Sequence, residues 1–260
     1  MARTPYNGSG FLTFYQQLAV NNPCYKAKAF RSKTTHLILH STGANNANLK
    51  RYVTPDDGYL GNNQYNNGWN NPNSSTLVHG VIGRNKAGAV EFYQIAPWDM
   101  LVWGCGSGKS GSGNTFAIQV EICEDQTLGS SYATATYSLA VKAFAHLCKA
   151  YNIPTSNILS HSEACAKGYA SNHADPEHWW KKVAPNLTMD RFRADVQTLL
   201  NGGKPSETKD AITETVGNAV KDIGLNKPDY WEAVLRGREN ASAGSIKALM
   251  DKYHKAVNKS

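Results

Sequence analysis

Two hundred and sixty residues is enough for one large domain, or for one domain with a small appendage. Hydrophobic residues make up 41% of the chain and aromatics 10%, which supports a sizeable core, and a net charge of +7 favours an anionic partner. No arginine-rich arm or nucleic-acid motif accompanies the charge, no run approaches the length of a membrane span, and the opening Met1-Ala-Arg-Thr-Pro-Tyr-Asn-Gly lacks an apolar signal stretch. The expectation is a chain made in the cytoplasm, with no nucleic-acid partner and no membrane insertion. Such a chain needs another route if it acts outside.

In chain order, residues 11–20 carry apolar side chains that read as a short helix, and 34–40 read as a buried strand. From about 43 to 75 the chain is rich in Asn, Gly, Tyr and Pro, which is turn chemistry; loops of that length are commonly functional. Two apolar runs, 77–82 and 89–95, flank a Gly-Arg-Asn-Lys-Ala-Gly turn and read as a hairpin. Residues 115–122 form another strand. Over 134–151, Leu139, Ala143, Phe144, Leu147 and Tyr151 fall on one helical face; Pro154 ends the pattern and 157–160 start a further strand. A last helix of the main domain spans 188–200.

Asn201-Gly-Gly-Lys-Pro-Ser206 is a linker by composition. Beyond it no strand pattern occurs. Nine Lys/Arg and eight Asp/Glu nearly cancel there, so about +6 of the charge belongs to the first 205 residues. The tail reads as short helices over 209–222, 229–235 and 243–257, with Trp231, Leu235, Ile246, Leu249, Met250 and Tyr253 as a very small core. About 55 residues is close to the lower limit of independent stability. The expected organisation is a catalytic domain at 1–200, a linker at 201–206 and a small helical domain at 207–260.

Five cysteines (Cys24, Cys105, Cys123, Cys148 and Cys165) in no paired spacing argue against a disulfide framework. Cys123 and Cys148 read as small buried hydrophobes. Cys165, four residues after His161, is a weak candidate ligand.

Two histidines stand where strands hand over to loops. His40 ends His36-Leu-Ile-Leu-His40, and His161 ends Asn157-Ile-Leu-Ser-His161. Asp175 follows in Asn172-His-Ala-Asp-Pro176. Two imidazoles and a carboxylate are the ligand set of a catalytic zinc with an open fourth position. The matching general base would be a carboxylate near the metal, and Glu121, a carboxylate in an apolar strand, is the candidate. Each residue has a plainer reading: a satisfied loop histidine, an edge-strand charge, an N-cap for a helix after Pro176. Their joint occurrence at strand ends favours the site.

His40-Ser-Thr-Gly, Thr76-Leu-Val-His-Gly-Val-Ile-Gly-Arg, Asn114-Thr-Phe-Ala-Ile-Gln-Val-Glu121, His161-Ser-Glu-Ala and His173-Ala-Asp175-Pro176 resemble, in order, the blocks of the zinc-dependent N-acetylmuramoyl-L-alanine amidases of the second type. This family is related to peptidoglycan recognition proteins and phage amidases, and the resemblance covers about residues 30–185. It implies an α/β fold with a mixed central β-sheet flanked by helices, here with a small C-terminal all-helical domain. It implies Zn2+ held by His40, His161 and Asp175, with Glu121 as base. The substrate would be bacterial peptidoglycan, cut between N-acetylmuramic acid and L-alanine. His79 resembles the family's strand histidine lining the cleft, though a buried core histidine is an equal reading.

Two departures stand out. The family usually has Lys or Thr two residues before the last ligand, to stabilise the oxyanion; this chain has His173. Either His173 takes that role, or it is itself the third ligand with Asp175 orienting it. The family's Trp-His-x-Gly cleft motif is Trp103-Gly-Cys-Gly here, which leaves Trp103 to stack on a sugar or stem peptide. The competing class is a non-catalytic peptidoglycan receptor of the same fold, disfavoured because every ligand-type residue and Glu121 are present. Wall lysis without a signal peptide favours a phage endolysin released through a holin pore over a bacterial autolysin with unusual export, and the tail is open to a wall-binding, a dimerising or a purely stabilising role.

Overall fold

The computed structural model describes residues 3–204, 219–220, 227–235 and 240–257. The chain divides into two compact units, residues 1–206 and 207–260. The first is built on a seven-stranded mixed sheet: β1 Tyr6–Gly8, β2 Leu12–Gln16, β3 His36–Ser41, β4 Gly80–Arg84, β5 Val90–Gln94, β6 Ala117–Ile122 and β7 Ile158–Ser160. The order across the sheet is β1-β2-β5-β4-β6-β3-β7. Strands β4, β6, β3 and β7 run parallel, while the β4–β5 and β1–β2 pairs are antiparallel. Helices are α1 Pro23–Lys26, α2 Gly129–Tyr151, α3 His161–Ala166, α4 Glu177–Val183 and α5 Met189–Leu200.

Strands β3 and β6 sit in the sheet interior, and alternate residues point to opposite faces. Leu37, Leu39, Ile118, Val120 and Ile122 face one way and pack with Tyr137, Phe144, Trp180 and Phe192 of α2, α4 and α5. Burying aliphatic side chains of this size stabilises by roughly 1.5–3 kcal/mol each. Aromatic edge contacts among Tyr137, Phe144, Trp180 and Phe192 lock the helices onto the sheet. The opposite face carries Ile38, His40, Gln119 and Glu121, by the same period of two.

The expected helix over 11–20 is instead strand β2. Leu12 and Phe14 are buried while Thr13 between them is exposed, a period of two. Ser9 and Gly10 adopt left-handed backbone (φ 55° and 82°), which turns β1 back onto β2. The Asn-rich stretch 43–75 contains one short 3-10 turn, Leu49–Arg51. It is pinned by buried Leu49, Tyr52, Val53 and Leu60, packed with Leu77, Val81 and Tyr93.

In the C-terminal unit, α6 Pro228–Leu235 and α7 Ala243–Val257 are described. The helix expected over 209–222 lies, apart from residues 219–220, outside the described residues. Among the described residues of this unit, Leu235, Ile246, Met250 and Tyr253 are each about half exposed.

Candidate metal centre and cleft

His40 lies near the C-terminal end of β3, paired in register with Glu121 of β6. His161 follows β7 directly and is the first residue of α3. Its position is held by a capping box, in which Ser160 Oγ accepts from Glu163 N and the Glu163 carboxylate accepts from Ser160 N. Asp175 belongs to the segment joining α3 to α4. It does not cap α4; Pro176 occupies that place without a side-chain bond. Its Oδ2 instead accepts from Ser41 N at 3.1 Å, at the end of β3.

Three side chains therefore converge from three separate elements. His40 Nδ1 and His161 Nδ1 are 2.9 Å apart. His40 Nδ1 is 3.4 Å from Asp175 Oδ2, and His161 Nδ1 is 3.5 Å from Asp175 Oδ1. Among the described residues this is the group of His, Cys, Asp and Glu close enough to hold a metal ion, its ligand atoms all within 4.8 Å. Ligand atoms 2.0–2.1 Å from a tetrahedral centre are roughly 3.3 Å apart, so the separations suit a divalent cation bound by nitrogen and oxygen. All three residues are buried. Burial holds the Asp175 carboxyl up, but the His40 hydrogen bond and charge outweigh it, and the group ionises below the usual carboxylate range. Burial pushes His161 down to about 4, reinforced by the charge of His40, which favours a neutral ring ready to ligate. Cys165 stands outside the group.

The site opens into a cleft of about 570 Å³, lined among others by Ser41, Gly104, Glu121, His161, His173 and Asp175. Glu121 Oε2 is shielded from water and has no hydrogen-bond partner. Burial raises its carboxyl to about 8, His40 pulling it down and Asp175 and Glu124 pushing it up. His173 is exposed. Its Nδ1 lies 3.3 Å from His161 Nε2, the nitrogen facing away from the cluster, and 3.2 Å from Ser171 Oγ. The converging carboxylate is that of Asp175, and His173 lies outside the cluster.

His79 does not line the cleft. It is fully buried just before β4, its Nδ1 accepting from Gln119 N and its Nε2 facing Met100 O. Burial, together with the Arg31 guanidinium 3.2 Å away, holds its pKa well below the ordinary value. The apolar run around it thus marked a core position that braces β6, consistent with the plainer reading. Trp103 is exposed beside the cleft residue Gly104. Sequence reasoning missed three residues. Gln119 Oε1 is 3.0 Å from His40 Nε2, and Ser171 O is 3.1 Å from His161 Nε2. Buried Glu124 accepts from Ser41 Oγ at 2.7 Å and faces His178 Nε2 at 3.1 Å. The signal for Gln119 was present: a buried amide two residues before Glu121 shares its face of the strand. A backbone carbonyl such as that of Ser171 has no such signature.

Residues 30–178 match the protein-family model described as N-acetylmuramoyl-L-alanine amidase, and the chain belongs to that family. Its relatives include the N-acetylmuramoyl-L-alanine amidase CwlH of Bacillus subtilis (strain 168), 27% identical over 138 residues that make up 53% of this chain and 44% of the relative. The N-acetylmuramoyl-L-alanine amidase CwlA of the same organism is 26% identical over 183 residues, 70% of this chain and 59% of the relative. The chain spans about half the length of these curated relatives. A solved structure described as a mutant endolysin from Bacillus subtilis aligns at 21% identity with a TM-score of 0.44, over 71% of this chain and 99% of that one.

Proposed function

We propose that this protein is a zinc-dependent N-acetylmuramoyl-L-alanine amidase acting on bacterial peptidoglycan. The observation that carries this reading is the convergence of His40 Nδ1, His161 Nδ1 and the Asp175 carboxylate beside Glu121, at a cleft of a chain of the amidase family. His40, His161 and Asp175 would hold the ion. When bound, zinc lowers the pKa of water toward about 7 and polarises a carbonyl.

The residues of the chain supply the rest. Glu121 is the base: its unpartnered oxygen takes a proton from the attacking water and later delivers it to the leaving amine of L-alanine. His173, exposed at the cleft, donates a hydrogen bond to the lactyl carbonyl oxygen as it gains charge. Trp103 offers an aromatic face to a sugar or stem peptide. The C-terminal unit contains its own pocket of about 340 Å³, with Tyr230, Trp231, Lys227 and Lys252 in its wall, a combination suited to sugar faces and anionic groups. It serves as a wall-attachment module. The biological role is lysis of a host cell from within by a phage endolysin, reaching the wall through a holin.

Metal analysis with wall lysis tests this. The purified chain should hold one zinc. A chelator should remove it and stop release of muramoyl-linked peptides from purified walls, and added zinc should restore release. Undiminished release by metal-free protein would overturn the reading.

A further inference from the structure

Gln119 is fully buried, and its amide links His40 to the wall of the cleft. The direction of that amide follows from backbone chemistry. Asn114 Oδ1 receives the backbone N–H groups of Gly104 at 3.1 Å and Cys105 at 3.0 Å. A backbone N–H only donates, so the Asn114 atom facing both is its carbonyl oxygen. The Gln119 atom 2.9 Å from that oxygen must then be a donor, its Nε2. Gln119 Oε1 is left facing His40 Nε2 at 3.0 Å, so Nε2 carries hydrogen and the lone pair of the neutral ring is on Nδ1. His161 reaches the same state by another route: its Nε2 faces the carbonyl of Ser171, which only accepts. Both Nδ1 atoms are thereby turned to the same point: they lie 2.9 Å apart, with Asp175 Oδ2 3.4 Å from His40 Nδ1 and Asp175 Oδ1 3.5 Å from His161 Nδ1. Gly104 belongs to the same device, because a Cβ at that position would collide with Gln119 Oε1.

We infer that Gln119, oriented by Asn114, is a positioning residue that fixes the His40 tautomer and so prepares the metal site before any metal arrives. The inference rests on His40 being a metal ligand, as proposed above. An outer partner of a ligating histidine is typically worth 10–100-fold in metal affinity.

The test uses the full chain with zinc and two readouts: the zinc Kd by chelator competition, and the 15N signature of His40 in metal-free protein at alkaline pH, where the ring is neutral. Wild type should show a single tautomer with hydrogen on Nε2. Gln119→Met, close in size and without an acceptor, should weaken zinc 10–100-fold and give mixed tautomers. Asn114→Asp keeps the acceptor for both backbone N–H groups and for Gln119, and should leave the tautomer unchanged. Asn114→Leu frees the amide to rotate and should behave like Gln119→Met. If Gln119→Met lowers the melting temperature but keeps the wild-type Kd and a single tautomer, Gln119 is only packing and the inference fails. Should Gln119→Met not fold, Asn114→Leu decides in the same two readouts. A wild-type chain that binds no zinc while His40 shows the single Nε2–H tautomer would sink the metal assignment and leave the orientation of the ring standing.

Discussion

Strands β3 and β6 present two faces made by alternate residues of the same ten-odd positions. One face, Leu37, Leu39, Ile118, Val120 and Ile122, is wholly apolar and sealed under α2, α4 and α5. The other places His40, Gln119 and Glu121 side by side, with His161 following the neighbouring β7. The first face needs only shape and volume to be right. On the second, every buried polar atom needs a partner, and Glu121 Oε2 has none. The difference teaches where stability and chemistry divide: the helix-covered face holds the sheet rigid, so that the other can carry polar groups such as Glu121 Oε2 whose bonding is left incomplete.

Substitutions on the two faces should separate cleanly. The largest effect is on the polar face: His40→Ala or His161→Ala should abolish stoichiometric zinc, measured by elemental analysis, and lysis with it, while a cooperative unfolding transition remains. Glu121→Ala should retain zinc but lower the rate of amide cleavage by roughly 10²–10⁴-fold, the usual worth of a general base. Near-normal cleavage would make Glu121 a structural strand residue. Leu39→Ala, one position from His40 on the apolar face, should cost about 2–5 kcal/mol by denaturant unfolding and leave zinc affinity within a fewfold of wild type. A large loss of zinc affinity in that variant would erase the division between the faces.

A smaller effect is read in pH. The Glu121 carboxyl of the metal-free chain has its pKa raised to about 8 from the ordinary 4.5. A raised acid binds its proton more tightly in the folded than in the unfolded state. Its contribution is therefore fully present below about 4.5 and is lost as pH rises through about 8. Melting temperatures of metal-free wild type and Glu121→Gln, compared from pH 5 to 9, should show wild type losing ground to the variant as pH rises. Parallel curves would mean that the carboxyl titrates normally. The smallest expected effect concerns the C-terminal unit: residues 1–203 should cleave soluble muropeptide at the full-chain rate and act more slowly only on intact walls, where a second contact raises effective concentration. Equal rates on intact walls would remove the attachment role.

Much of the polar face was legible in the sequence because strand ends are punctuated. His40 and His161 each close a short apolar run before a break, and Glu121 is conspicuous in an apolar strand. Residues 34–40, 115–122 and 157–160 could be read as strands for the same reason. The N-terminal hairpin was not legible: Phe11, Leu12, Tyr15 and Leu18 satisfy helical spacing, and only pairing with β5 selects the extended form in which Leu12 and Phe14 turn inward. His79 misled because a histidine in an apolar run looks the same whether it faces a cleft or donates and accepts within the core. Gln119 was passed over because its meaning depends on Asn114 and the Gly104–Cys105 backbone, which only the folded chain brings together. In the tail the helices over 229–235 and 243–257 were legible, but not that Leu235, Ile246, Met250 and Tyr253 stay about half exposed.

The proposed chemistry is tested most directly by mass spectrometry of the products released from purified peptidoglycan by the zinc-loaded chain. Cleavage by the face carrying His40, His161, Asp175 and Glu121 should yield stem peptides with a free L-alanine amine and glycan strands of unbroken sugar linkages whose muramic acid residues bear free lactyl carboxylates, and with Glu121→Ala these products should form roughly 10²–10⁴-fold more slowly. New reducing sugar ends, or cuts within the stem peptide with the muramoyl bond intact, would contradict the account.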